Sequence, residues 1–200
     1  CGSDRSVALY DARSKSPLRK LVMQNKCTKL AWNPMEAFNF TVANEDTNLY
    51  SYDMRKLTTA TCVHRDFVSA VLDVDDSPTG REFVAGSYDR TVRLFDYNGG
   101  HSRDVYHAKR MQRVFSVRFS MDGTYVLTGS DDMNVRCWKA EASAQLGTLL
   151  PREKRKKQYQ NALKERFKHM PEIKRIARHH HVPKAMHTAQ KLRRTMTDAE

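Results

Sequence analysis

A turn aspartate recurring every 42 or 43 residues, short apolar runs that close on glycine, and a switch to glycine-free, highly charged sequence from Pro151 onward together predict the architecture. It is an all-β propeller, a partial ring of blades over residues 1–140, followed by an α-helical basic extension over residues 141–200.

The repeat comes first. Asp4, Asp46, Asp89 and Asp132 lie 42, 43 and 43 residues apart, and each opens the same pattern. Six residues on stands an aromatic (Tyr10, Tyr52, Phe95, Trp138), followed by Asp11, Asp53, Asp96 or, in the last copy, Lys139. Between these markers Phe83-Val84-Ala85-Gly86-Ser87 and Val126-Leu127-Thr128-Gly129-Ser130 read as buried strands, and Val117-Arg118-Phe119 alternates as a half-buried one. Asn33-Pro34, Ser77-Pro78-Thr79-Gly80 and Asp122-Gly123 supply the turns. Units of about 40 to 45 residues with four strands each are propeller blades. Repeats ending near 11, 53, 96 and 139 amount to three complete copies and the end of a fourth. A seven-bladed ring needs about 290 residues, so the chain is expected to be the C-terminal part of a longer protein, with roughly three to four blades upstream.

The extension is written in a different alphabet. Residues 151–200 hold 15 basic and 5 acidic side chains, a charge of +10, whereas the first 150 hold 20 and 18, a charge of +2. Pro151 suits a first helical turn, and Tyr159, Leu163, Phe167 and Met170 follow at steps of 4, 4 and 3 on one helical face. Pro171 ends that helix; Ile173, Ile176 and Ala177 form a short second piece; Pro183 opens a third with Met186, Ala189, Leu192 and Met196 on one side. The apolar residues are expected to pack against the propeller or a neighbour. The cluster Arg152, Lys154, Arg155, Lys156 and Lys157 suits nuclear import or phosphate binding. With Lys164, Arg166, Lys168, Lys174, Arg175, Arg178, His179, His181 and Lys184 it forms a basic tail expected to contact RNA or a ribonucleoprotein.

Several classes drop out. No run approaches the 18 to 20 apolar residues of a membrane span, and Cys1-Gly2-Ser3-Asp4-Arg5 does not read as a secretory signal. Cys1, Cys27, Cys62 and Cys137 include no CxxC pair. Consecutive histidines at 179–181 point about 100° apart on a helix and cannot share one ion, so no metal and no cofactor is expected. Ser87, His64 and Asp89 would suggest a hydrolase triad, but repeat spacing explains all three and no nucleophile elbow is present, so no enzyme is expected.

Over residues 1 to about 140 the chain resembles the WD-repeat proteins. Trp138 keeps the family's tryptophan; Tyr10, Tyr52 and Phe95 substitute elsewhere, and Lys139 replaces the aspartate. His64, preceded by Val63, stands where the family's histidine would. The resemblance implies a buried hydrogen-bond chain from His64 through Ser87 and Asp89, with Asp132 and Trp138 fastening the last blade.

A second resemblance is carried by Leu163-Lys164-Glu165-Arg166-Phe167-Lys168-His169-Met170-Pro171-Glu172-Ile173-Lys174-Arg175-Ile176-Ala177-Arg178-His179-His180-His181-Val182-Pro183-Lys184, with Trp138-Lys139-Ala140 and Leu146-Gly147. It looks like the SOF-type C-terminal domain of a family of eukaryotic small-subunit processome proteins, departing mildly at His180 where arginine is the expectation. This resemblance implies a non-catalytic assembly factor in the nucleus and nucleolus. It would act with a box C/D snoRNP in pre-rRNA cleavage and 18S rRNA maturation, its partners being processome proteins, snoRNA and pre-rRNA, with no membrane or small-molecule substrate.

A competing role rests on Tyr10-Asp11-Ala12-Arg13 and Tyr52-Asp53-Met54-Arg55. Asp11, Arg13, Asp53 and Arg55 resemble the double DxR box by which WD-repeat substrate receptors dock onto the adaptor of cullin-four ubiquitin ligases. The alternative is that each arginine pairs with a nearby acidic loop residue.

Overall fold

A computed structural model describes residues 1–199. Its strands are β1 (Ser6–Leu9), β2 (Arg19–Val22), β3 (Cys27–Trp32), β4 (Asn39–Asn44), β5 (Leu49–Asp53), β6 (Cys62–His64), β7 (Val71–Asp76), β8 (Glu82–Ser87), β9 (Val92–Asp96), β10 (Ser102–Tyr106), β11 (Val114–Phe119), β12 (Tyr125–Ser130) and β13 (Val135–Lys139). Three helices follow: α1 (Pro151–Phe167), α2 (Pro171–Ala177) and α3 (Lys184–Ala199). The predicted order of a partial propeller and a helical extension is the order observed. Glu200, the last residue of the predicted extension, lies outside the described residues.

All pairing is antiparallel, in sheets β1-β2, β3-β4-β5-β6, β7-β8-β9-β10 and β11-β12-β13. Sequence repeat and blade are therefore out of phase by one strand. A repeat read from β2 to β5 or from β6 to β9 donates its first strand to the outer edge of the preceding sheet, so β6 pairs with β5 and β10 with β9. Neighbouring blades are thereby joined through the backbone itself.

The recurring aspartate is explained by the turn it makes. Arg5, Thr47, Arg90 and Met133, each just after a turn aspartate, all have φ between 61° and 79°. Side chains avoid that left-handed region unless the turn is held from elsewhere. The Asp46 and Asp89 carboxylates accept the N–H groups of Asn48 and Thr91 at 2.9 Å, and Asp4 accepts that of Ser6 at 3.3 Å. These bonds lock three of the tight turns; in the last blade Asp132 takes the side-chain amide of Asn134 instead, at 3.2 Å.

The core is divided among blade interfaces. Val7, Phe40, Val42 and Tyr52 pack in one cluster; Leu49, Phe67, Val71, Phe83, Ala85 and Phe95 in the next; Val84, Leu94, Val114, Val117 and Val126 in a third. Alternate residues of β8 thus enter two different clusters, Phe83 and Ala85 on one side and Val84 on the other. A strand buried on both faces needs a continuous apolar run rather than alternation. Gly86 closes that run because a Cβ there would lie 2.7 Å from methyl groups of both Val114 and Val117. The equivalent Gly129 would meet only the Ser116 Cβ, at 3.8 Å.

Polar ties join the first strands of adjacent blades. Val117 N–H donates to Asp73 (2.9 Å), Phe119 N–H to Asp75 (2.8 Å), and the Thr28 hydroxyl to the Val71 carbonyl (2.7 Å). Asp76, beside them, has a different environment. Both its carboxylate oxygens are buried without a hydrogen-bond partner among the described residues. Burial, reinforced by the Asp75 charge, raises its pKa to about 7. An acid whose folded pKa exceeds its unfolded value keeps its proton on folding. Stability attributable to Asp76 is therefore intact at acid pH and falls as pH rises from about 4 through about 7. The Asp76→Asn variant is expected to lose much less of its urea midpoint than the parent between about pH 5 and about pH 8. Equal losses in the two proteins would show that Asp76 does not titrate in this range.

The described residues form two compact units. Cys1–Ala140 associates with the chain from Val182 onward, and Glu141–His181 forms a second body containing α1 and α2. The extension read from the sequence as one stretch, 141–200, is thus divided, with α1 and α2 in the second unit and α3 in the unit of the blades. Helix α3 is held there by Arg193, whose guanidinium donates to the carbonyls of Phe67 (2.8 Å) and Asp46 (3.4 Å). Met186 and Ala189 are half-buried with it, whereas Leu192 and Met196 remain 62% exposed. The four residues expected on one side of α3 therefore do not form its packed face. A long side chain that reaches two blade carbonyls takes the place of the outer part of the apolar stripe. No helix among the described residues is long and apolar enough to cross a membrane.

Candidate functional site

Three groups of side chains stood out in the sequence, and each has a distinct setting. The blade fasteners are the most buried. His64 is fully buried at the end of β6, with Nδ1 2.5 Å from the Gly99 carbonyl and Nε2 2.9 Å from the Ser51 hydroxyl. The carbonyl can only accept, so Nδ1–H donates to Gly99 and Nε2 accepts from Ser51, whose oxygen lies 3.2 Å from that of Thr41. Burial lowers the His64 pKa and keeps the ring neutral.

The expected chain from His64 through Ser87 to Asp89 is not formed. Ser87 donates instead to the Ala70 carbonyl (2.8 Å), and Asp89 accepts from Thr91. The reason is topological: β6 is the outer strand of its sheet, so its ring meets Ser51 on β5 rather than the turn after β8. Nothing in the spacing marked Thr41 or Ser51. Trp138 donates its indole N–H to the Thr128 hydroxyl at 2.9 Å, and Asp132 pairs with Arg136 at 3.0 Å. That guanidinium holds the Asp132 carboxyl well below the usual range.

The paired arginines occupy matching places just before the outer strands β2 and β6. Asp11 and Asp53 cap their hairpins by accepting the N–H of Arg13 (3.0 Å) and of Arg55 (2.9 Å). Beyond that the two copies differ. Arg55 turns back on Asp53, with Nε 3.0 and 3.1 Å from its two oxygens and Nη2 at 2.6 Å, and its guanidinium lies 4.5 Å above the Phe38 ring. These bonds lower the Asp53 pKa. Arg13 is exposed, and its guanidinium has no hydrogen bond or ion pair among the described residues. Arg19, at the start of β2, donates to the Met54 (3.3 Å) and Arg55 carbonyls, which brings the two hairpins together. Neither Arg19 nor Phe38 carried a sequence signal for this role.

The third group lies on the helical unit Glu141–His181. Helix α1 starts where Pro151 predicts, and the Leu150 N–H donates to the Glu153 carboxylate at 3.3 Å. The helix turns at Lys168–Met170 into α2, which starts at Pro171. Neither helix has a fully buried residue. Arg152, Lys154, Arg155, Lys156, Lys164, Arg166, Lys168, Lys174, Arg175 and Arg178 are exposed and Lys157 is half-buried; none pairs with a carboxylate among the described residues. His179 and His181 are also exposed, and Lys184 opens α3. No group of three or more His, Cys, Asp or Glu side chains among the described residues is arranged to hold a metal ion.

The predicted apolar stripe is divided. Leu163, Phe167, Ile173, Ile176 and Ala177 line a groove of about 930 Å³ between α1 and α2, rimmed by Lys164, Lys168, Lys174 and Arg178. Tyr159 and Met170 lie outside it, 66% and 52% exposed. The periodicity marked the stripe, but only the turn at Pro171 determined which of its residues would share a groove.

Residues 140–200 match the Sof1-like domain, and residues 57–96 and 100–139 match the WD domain, G-beta repeat. The chain is 55% identical over 199 residues to a protein of Xenopus tropicalis named DDB1- and CUL4-associated factor 13, covering all of this chain and 45% of that protein. It is 53% identical over 199 residues to the Homo sapiens protein of the same name, with the same coverage. It is 54% identical over 192 residues to Protein SOF1 of Saccharomyces cerevisiae, covering 96% of this chain and 39% of that protein. The chain thus spans less than half the length of the curated relatives it matches.

Proposed function

We propose, from the premise that this chain carries WD40 repeats followed by a Sof1-like domain and so belongs with the SOF-type WD-repeat proteins, that it is part of a non-catalytic scaffold in ribosome biogenesis. It acts in the small-subunit processome, with a box C/D snoRNP, in pre-rRNA processing and 18S rRNA maturation, in the nucleolus. The observation that carries this reading is the helical unit 141–181, which holds 11 basic and 4 acidic side chains. Its cations, exposed except for the half-buried Lys157, form no ion pairs among the described residues, so their charge is available to phosphates. The blades supply what a scaffold needs besides: a β body with its core between the blades and turns displayed to protein partners.

Crosslinking in cells is expected to place the segment from Arg152 to Lys184 on snoRNA, pre-rRNA or processome proteins. Depletion is expected to lower 18S rRNA while leaving large-subunit rRNA in place. Equal loss of both would count against this role.

A second reading has its own observation. Asp11-x-Arg13 and Asp53-x-Arg55 sit at matching positions of neighbouring blades, and the Arg13 guanidinium is free among the described residues. Relatives bear the name of factors associated with DDB1 and CUL4. We infer that the box serves as a docking point for a cullin-four adaptor. The double variant Arg13→Ala, Arg55→Ala is expected to release the adaptor in a pull-down, and undiminished capture would sink the idea. Arg13→Ala alone should have the larger share, because Arg55 must first leave Asp53 and Phe38.

A further inference from the structure

We infer that the groove between α1 and α2 is a docking site for an acidic amphipathic helix of a protein partner. This deepens the scaffold reading by giving the basic unit a second, protein-directed surface beside its phosphate-directed cations.

The chemistry of the groove selects the occupant. Its floor is apolar, made by Leu163 and Phe167 on α1 and Ile176 on α2. These side chains are 36%, 38% and 69% exposed, so the unit leaves apolar surface uncovered that burial would stabilise. Its rim is cationic: Lys164 and Lys168 stand one turn apart on the α1 side and Arg178 closes the α2 side, none of them paired with a carboxylate among the described residues. Glu165 is the one acidic side chain of the lining. An apolar floor flanked by rows of positive charge complements a helix that shows leucine-like side chains on one face and carboxylates on its flanks. RNA fits less well. Phosphates would find the rim, but for bases the lining offers one neutral amide, Asn161, and the single Phe167 ring for stacking. The cluster from Arg152 to Lys157, near the start of α1, is absent from the lining and remains available to nucleic acid.

The test uses the whole chain and two synthetic peptides of identical composition. One carries leucine at i, i+3, i+4 and i+7 with glutamate between; the other has the same residues scrambled so that no apolar face forms. Fluorescence anisotropy is expected to show at least about tenfold tighter binding of the registered peptide, since both carry the same charge and only one fits the floor. Equal binding would overturn the proposal by showing bulk charge attraction. The exposed-site variant Leu163→Ser, Ile176→Ser should abolish the preference without loss of helicity. Lys164→Glu, Lys168→Glu should weaken the glutamate peptide and recover binding to its lysine-for-glutamate counterpart. A uridine oligonucleotide is the competing probe. If the serine variant loses the oligonucleotide and keeps the registered peptide, the groove is an RNA site and the inference fails. If the groove proves inert while the Arg152–Lys157 cluster still binds RNA, the scaffold reading stands without it.

Discussion

Replacing Phe83 with alanine is expected to destabilise the blades by about 3–5 kcal/mol, the range for emptying a phenylalanine site in a core that cannot collapse. Phe83 is completely buried on β8. Its ring stacks on Phe95 at 5.3 Å and meets the edges of His64 at 4.7 Å and Tyr97 at 6.3 Å. Those neighbours come from β6, from β9 and from the turn just after it, and two of them are themselves tied: His64 by Ser51 and Gly99, Phe95 within the β8-β9 ladder. They have little freedom to move into the vacated volume, so most of the cavity would persist. A loss of that size is a large fraction of the roughly 5–15 kcal/mol that holds a typical domain together. Urea unfolding followed by far-ultraviolet circular dichroism measures it. The control Phe38→Ala, at a ring 49% exposed beneath Arg55, should cost far less. A Phe83 variant within about 0.5 kcal/mol of the parent would refute the cavity argument.

The second large effect is on nucleic-acid binding. Changing Arg152, Lys154, Arg155, Lys156 and Lys157 together to glutamine is expected to flatten the salt dependence of binding to a uridine oligonucleotide. Each phosphate neutralised on a single strand contributes about −0.7 to the slope of log K against log salt, so five contacts contribute up to about −3.5. Between about 50 and about 200 mM salt the parent should then lose about a hundredfold more affinity than the variant. Folding should not confound the result. Helix α1 has no buried residue, and glutamine is nearly as good a helix former as the residues it replaces. Matching slopes would assign the phosphate contacts to other cations.

Residues whose role is local or periodic were legible in advance. Pro151 and Pro171 begin α1 and α2 because proline's fixed φ and missing N–H suit a first helical turn. The turn aspartates announced the blades because each makes a bond within two residues of itself. Residues whose partners come from another sequence repeat or from a distant turn were not legible. The spacing marks His64 as a fastener but not its partners, since the phase shift between repeat and sheet sets it against Ser51 rather than Ser87. Asp53-x-Arg55 was recognised as a motif, but Phe38, the platform under its guanidinium, lies in a turn that spacing could not connect to it.

By itself the sequence determined the blade repeat, the all-β body and the separate basic helical extension, with its excess charge in the last fifty residues. These follow from turn chemistry, hydrophobic period and composition, all of which act over a few neighbouring residues. Only the tertiary structure decided that α3 would be clamped to the blades through Arg193, that Asp76 would be buried without a hydrogen-bond partner among the described residues, and that the stripe on α1 would open into a cation-rimmed groove. Each of those depends on which distant surface a side chain meets, and that is set by how the elements close on one another.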